Sequence, residues 1–176
     1  GKPFNPSPAD KALLEEAVQV GVAYVRSDMA TPRAEEAYVY EGNPQWFNPF
    51  SGGSYEWLID GGKGGRNLDA RNNFFWAYTV NTPAMVLEMI GVGSQYAIAG
   101  TDSKGNYLDG SKTYKLTIDA NPPAKDFWSI VVYDPQTRSQ LQTGQPFPAK
   151  NSQRNQDMVV NADGSVDVYF GPQPPA

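Results

Sequence analysis

The chain contains neither cysteine nor histidine, and these two absences close off more chemistry than any residue present opens. Without cysteine there are no disulfides, no thiolate nucleophile and no sulfur-ligated zinc. Without histidine there is no Ser-His-Asp or Cys-His catalysis, no imidazole metal ligand and no ordinary general base near neutral pH. Chemistry performed by this chain alone must use carboxylates, lysine, tyrosine, arginine or a bound cofactor. No cofactor and no metal site are expected. Positive charge is also scarce: 14 Lys and Arg stand against 19 Asp and Glu, a net charge of −5. That balance argues against nucleic acid as a partner, because non-specific binding relies on clustered cations against phosphate. Apolar runs are too short for a membrane span, and nothing at Gly1 resembles a signal peptide, although a signal already removed would leave no trace.

What is present points to a folded chain rich in turns. Hydrophobic residues make up 40% of the 176 residues, ordinary for a globular domain and too many for a disordered one. The 17 glycines and 15 prolines fall between short apolar runs, favouring many turns between short strands.

Ser7 has the position of an N-cap, with Pro8 suited to the first helical residue and Asp10 able to return a bond to the cap. Leu13, Leu14, Ala17, Val18, Gly21 and Val25 follow at helical spacing, predicting a helix from about Pro8 to about Ser27. Tyr38, Val39 and Tyr40 read as a short strand before a loop over Glu41–Pro49. After the glycine-rich run Gly61–Arg66, Asn67 or Asp69 can cap a helix carrying Phe74, Phe75 and Tyr78. Pro83 predicts a break near Asn81-Thr82 and a second short helix through Met85, Val86 and Met89, because the residue before proline is pushed out of the helical region. From Ser94 the apolar period becomes two, predicting strands at Gln95–Ala99, Thr113–Ile118, Trp128–Tyr133 and Ser165–Phe170. Asp102–Asn106 and Asn161–Gly164 have the composition of tight turns. Four strands make a meagre sheet, so either a partner polypeptide is expected to complete it or, the favoured reading, part of the protein lies outside this chain.

Several stretches carry a family resemblance: Asn67–Arg71, Thr82–Met85, Gly93–Tyr96, Lys112–Leu116, Pro122–Ser129, Tyr133-Asp134, Gln136–Ser139, Leu141–Thr143 and Asn161–Pro172. Taken in order, they resemble the C-terminal half of bacterial proteins that pair two domains of unknown function, numbered 1254 and 1214. The resemblance runs from about Gly1 to Pro172. It implies jelly-roll β domains in exported or periplasmic proteins and no particular reaction. The family's N-terminal jelly roll and its closing segment after Gly171-Pro172 have no counterpart here, and Gly61–Gly65 is longer than the family pattern.

Four groups of residues are candidates for function. Gly61–Arg66 offers backbone N–H groups, Lys63 and Arg66 to an anion, although a connecting loop is the favoured reading. Asp60, Asp69 and Arg71 flank it, and Asp69 is expected to serve as a helix cap and ion-pair partner. Tyr133, Asp134, Arg138 and Gln142 follow a core strand that begins at Trp128. Arg138 is suited to clamp a carboxylate and Tyr133 to stack on a sugar, with a simple turn as the favoured alternative. The ring-rich set Trp46, Phe47, Phe50, Tyr55, Trp57, Phe74, Phe75 and Trp76 is expected to be mostly core or interface, not a carbohydrate platform.

The expected fold is mainly β, a partial jelly roll or β-sandwich preceded by a helical segment, α+β overall. The expected division is a helical, loop-rich segment over 1–92 and a β-sandwich segment over 93–176 that is incomplete at its C-terminal end. The leading expectation is a non-catalytic binding or structural module of an exported bacterial protein, handling carbohydrate or another polar ligand through Arg138, Gln142, Arg71 and Trp128. The alternatives are a histidine-independent hydrolase using Asp69 or Asp134 with Tyr133 and Arg138, and a structural fragment that completes its sheet with another chain. The remainder of the same protein or a homo-oligomer is the expected partner, and the periplasm or exterior is the location the resemblance implies.

Overall fold

The computed structural model describes residues 3–155 and 158–174. The chain is mixed α and β, with a helical region and several small antiparallel sheets that do not assemble into a clear jelly roll. It divides into two compact units, Gly1–Tyr107 and Leu108–Ala176.

The first unit opens with α1 (Pro8–Ala30), which begins as predicted. Ser7 Oγ accepts from the Asp10 amide at 3.2 Å, and the Asp10 carboxylate receives the Ser7 amide in return. The helix runs three residues past the predicted end, to Thr31 as C-cap. Most of its apolar residues are not covered. Leu13, Leu14 and Val18 are exposed, and burial begins only at Tyr24 and is complete at Asp28. A capping box and good helix formers hold these turns without tertiary contact. Hydrophobic periodicity therefore predicted the helix, although it is not packing that holds its first turns.

A 3-10 turn leads into β1 (Tyr38–Tyr40), paired with β2 (Asn43–Phe47), which in turn pairs with β5 (Ile98–Ala99). The predicted loop over Glu41–Pro49 is thus mostly a strand. Pairing with β2 draws β5 into the first compact unit, which ends at Tyr107. Gly100 lets the end of α1 approach this sheet, since a Cβ there would come within 2.8 Å of Ala30 Cα. Next, β3 (Leu58–Ile59) and β4 (Gly65–Arg66) form a two-stranded hairpin. Two helices follow, α2 (Leu68–Tyr78) and α3 (Pro83–Val86), separated as predicted by a break capped at Thr82. The core of this unit is Trp57, Ala70, Phe74 and Val86, with Phe50, Tyr78 and Met85 packed around it.

In the second unit β6 (Tyr114–Ile118) pairs with β9 (Val166–Phe170), and β7 (Ser129–Val131) with β8 (Ala149–Asn151). The predicted strands are present, each somewhat shorter. The Asn161–Gly164 turn closes through an Asn161 amide bond to the Ser165 carbonyl at 2.8 Å. The Asp102–Asn106 turn, in the first unit, is organised around Asp102 Oδ1, which accepts from the Lys104 and Asn106 amides at 2.9 Å each. The Asn106 amide chiefly holds that carboxyl below its ordinary pKa.

Candidate functional site

Two features of the first unit gather polar side chains: an open groove and a small cavity. The groove is built from the β3–β4 hairpin outward. Trp57 has a left-handed backbone, with φ of 54°. Its carbonyl accepts from the Asn67 amide at 2.6 Å, tying the two ends of the hairpin together. Asn67 then caps α2, its Oδ1 accepting from the Ala70 amide at 3.0 Å. This staple sets Arg66, the last residue of β4, and Arg71, on the first turns of α2, into one groove with Tyr55, Trp57, Asn81, Thr82 and Pro83. The groove encloses about 260 Å³. Neither guanidinium makes an ion pair among the described residues. Tyr55 is 56% exposed, whereas Trp57 is 2% exposed with an indole N–H that has no acceptor among the described residues.

The glycine-rich run itself is not an anion cradle. It forms the hairpin turn, in which the Lys63 and Gly64 amides are taken by the Asp60 and Ile59 carbonyls. Of its two cations, Arg66 alone lines the groove.

The cavity lies at the base of α1. It is lined by Asp28, Pro32, Ala34, Ala37, Ser51, Asp69, Ala70 and Asn73 and has about 10 Å³ of free space. Asp69 is on the first turn of α2, but Asn67 is the cap and no ion pair forms to Asp69 among the described residues. That corrects the role expected of it. Its Oδ1 accepts instead from the Tyr24 hydroxyl, 45 residues earlier in the chain. Burial, then the bond to Asp69, pushes the Tyr24 phenol up to about 12. The Arg33 guanidinium sits 4.8 Å over the Tyr24 ring. Asp28 is 3% exposed, and its Oδ2 is buried without a partner among the described residues. Burial raises the Asp28 pKa, while bonds from the Arg33 amide and the Asn73 side chain oppose the rise. Asn73 Nδ2 also donates to the Asp28 carbonyl at 3.1 Å.

The other predicted site residues lie in the second unit. Asp134 Oδ1 accepts from the Gln136 and Thr137 amides at 2.8 and 2.7 Å, which makes it the organiser of a turn. Arg138 has a left-handed backbone (φ 59°) in the same turn, and its Nη1 donates to the Gln136 carbonyl at 3.2 Å. Tyr133 bridges to Gln140 with its ring 55% exposed, and Gln142 is exposed beyond it. Trp128 is at the opposite end of β7, where its amide donates to Ser152 Oγ at 3.1 Å. Five extended residues span about 16 Å, so Trp128 and Tyr133 do not share a site. The structure gives this set the turn that the sequence favoured.

The aromatic set resolves as expected for the most part. Phe47, Trp57 and Phe74 are buried, Phe50 is partly buried, and Tyr55 and Phe75 are exposed. Sequence reasoning missed Tyr24 and Asp28 entirely. The only available signal was a tyrosine and an aspartate one helical turn apart at the end of α1.

Residues 93–176 match the family described as Protein of unknown function (DUF1214). The DUF1214 segment carries β5 to β9 together with Trp128, Tyr133, Asp134, Arg138 and Gln142. The resemblance to that domain holds over these residues. The groove and the cavity belong to residues before the DUF1214 segment. No curated protein matches the chain. No helix among the described residues is long and apolar enough to cross a membrane.

Proposed function

We propose that this chain is a non-catalytic binding module of an exported bacterial protein, and that its groove takes a small polar ligand bearing a carboxylate or phosphate. The carrying observation is the pair of guanidiniums, Arg66 and Arg71, set in one groove without ion-pair partners among the described residues. Arginine's planar fork matches carboxylate and phosphate oxygens bidentately. Tyr55 presents ring surface for a sugar face, and Asn81 supplies an amide that can bond hydroxyls. A groove of about 260 Å³ suits a ligand of monosaccharide size. An acidic sugar combines these features.

Calorimetric titration with glucuronate and glucose 6-phosphate, with glucose as the neutral control, tests the reading. One or both charged probes should bind saturably and glucose far less. Arg71→Ala should weaken that binding about tenfold or more, the scale of a lost charge-assisted hydrogen bond. Equal binding of glucose, or binding indifferent to Arg66→Ala and Arg71→Ala, would remove the groove from consideration.

A second reading concerns the other unit. Among its described residues Val168 is the one hydrophobic side chain that is fully buried, while Phe127, Phe147, Val159 and Val160 are at least half exposed. Its ladders are each two strands wide. So little buried apolar surface is a weak basis for independent stability. We infer that this unit pairs with another polypeptide or a second copy. Native mass spectrometry should then show a species above 19.3 kDa. A chain that stays monomeric at high micromolar concentration would overturn the inference.

A further inference from the structure

We propose that Asp28 and Asp69, with Asn73 and Ser51, form a binding site for a single hard divalent cation of the calcium class in the cavity at the base of α1. The cavity has about 10 Å³ of free space, room for one water-sized sphere. Two carboxylate residues, one carboxamide and one hydroxyl line it. Such oxygen donors suit calcium, which accepts mixed carboxylate, amide and carbonyl ligands in flexible geometry. Magnesium normally keeps several waters, and a space of this size has no room for them.

The observation that points to a ligand is Asp28 itself. It is 97% buried by complement of its 3% exposure, lines the cavity, and its Oδ2 has no partner among the described residues. A buried carboxylate oxygen without a partner is costly unless something compensates it. Arg33 does not, because its guanidinium lies over the Tyr24 ring and makes no ion pair with either aspartate among the described residues. A proton is the obvious competitor. Burial, the larger influence, raises the Asp28 pKa and favours the proton, so a cation titration decides between the two. The Tyr24 hydroxyl donates to Asp69 Oδ1, as it would to a carboxylate ligand held in place from outside. A cation between Asp28 Oδ2 and Asp69 would supply the positive charge that a proton would otherwise supply.

The lack of histidine and cysteine led to the expectation of no metal site, but that lack excludes nitrogen and sulfur ligands only. Among the described residues no three acidic side chains gather in one place. Two carboxylates put the expected affinity toward the weak, extracellular end of the calcium range, roughly 10⁻⁴–10⁻³ M. Such a site would tie the last turns of α1 to the first turn of α2, since Asp28 comes from one and Asp69 from the other.

The full chain, treated with chelator, should be titrated with terbium and excited in the tyrosine band. A tyrosine adjacent to the ion sensitises its emission, and Tyr24 is bonded to Asp69. Saturable terbium emission should appear and be displaced by calcium but not by magnesium. Asp28→Asn, which keeps shape while removing charge, should weaken the apparent calcium affinity about tenfold or more, the scale on which metal sites respond to lost groups. Asp69→Asn should do the same, and it serves as the second variant if Asp28→Asn disturbs the helix signal in circular dichroism. No saturable emission, or emission unchanged in both variants, overturns the proposal and leaves the cavity to a proton and a water. Anion binding in the groove is read separately by calorimetry with the charged sugars, so failure of either site is distinguishable from failure of the other.

Discussion

Phe74→Ala is expected to destabilise the first unit by about 3–5 kcal/mol, the range for truncating a buried phenylalanine. The side chain is fully buried, and three rings meet it: Phe50 at 5.5 Å, Trp57 at 5.7 Å and Tyr78 at 4.6 Å between centroids. Alanine removes the hub and leaves a void that those rings cannot close without leaving their own positions, because Trp57 is tied to Asn67 through its backbone. A loss of that size takes a large share of the whole stability of an ordinary domain. Urea melts followed by tryptophan fluorescence should show the midpoint falling steeply. Phe75→Ala is the matched control. Phe75 is the next residue on α2 and is 54% exposed, so its removal should shift stability by no more than about 0.5 kcal/mol. Equal effects at positions 74 and 75 would mean that the core is not where the structure places it.

Gly52→Ala is expected to be nearly as damaging, although it adds a single methyl group. A Cβ at that position would lie 2.1 Å from Trp57 Cε3 and 2.4 Å from Cζ3. Neither atom belongs to a flexible chain end. The indole is 2% exposed, packs on Phe74, and hangs from a left-handed backbone that the hairpin holds. Either the loop shifts away or the indole leaves the core, at a cost of about 1–3 kcal/mol for overpacking. The indole route also carries a spectral signature, because a displaced Trp57 meets water and its emission moves to longer wavelength. Gly110→Ala is the control, since a Cβ there meets nothing within 4 Å. An unchanged melt for Gly52→Ala would show that Trp57 is free to move, and would weaken the case for a preformed groove wall.

Those two positions also mark how far the sequence could be read. Phe74 was visible as one of three consecutive rings on a predicted helix, of which at most two could face inward. Which of them formed the hub was decided by Phe50 and Trp57, both contributed by the loop before the hairpin. Gly52 had no signal at all, because a glycine chosen for a close approach looks like a glycine chosen for a turn until the approaching ring is seen.

The same division runs through the whole chain. Signals confined to a few neighbouring residues were legible: the Ser7–Asp10 capping box, the break at Thr82-Pro83, the Asp102 and Asn161 turns, and the turn around Asp134. Each is set by hydrogen bonds and backbone sterics reaching no further than four residues, so the sequence by itself determined them. Composition also decided outright that no cysteine or histidine chemistry occurs. The tertiary structure decided what depends on distant partners. Asp69 serves Tyr24 instead of capping α2, β5 joins β2 in the first unit, and the first turns of α1 bury almost nothing despite their apolar period. Four strands of the DUF1214 segment, β6 to β9, pair as two separate ladders, because register and partner choice rest on distant contacts. Arg66 and Arg71 share a groove, and Asp28 and Asp69 a cavity, only because the hairpin and the end of α1 both close on α2. No local pattern specifies that closure.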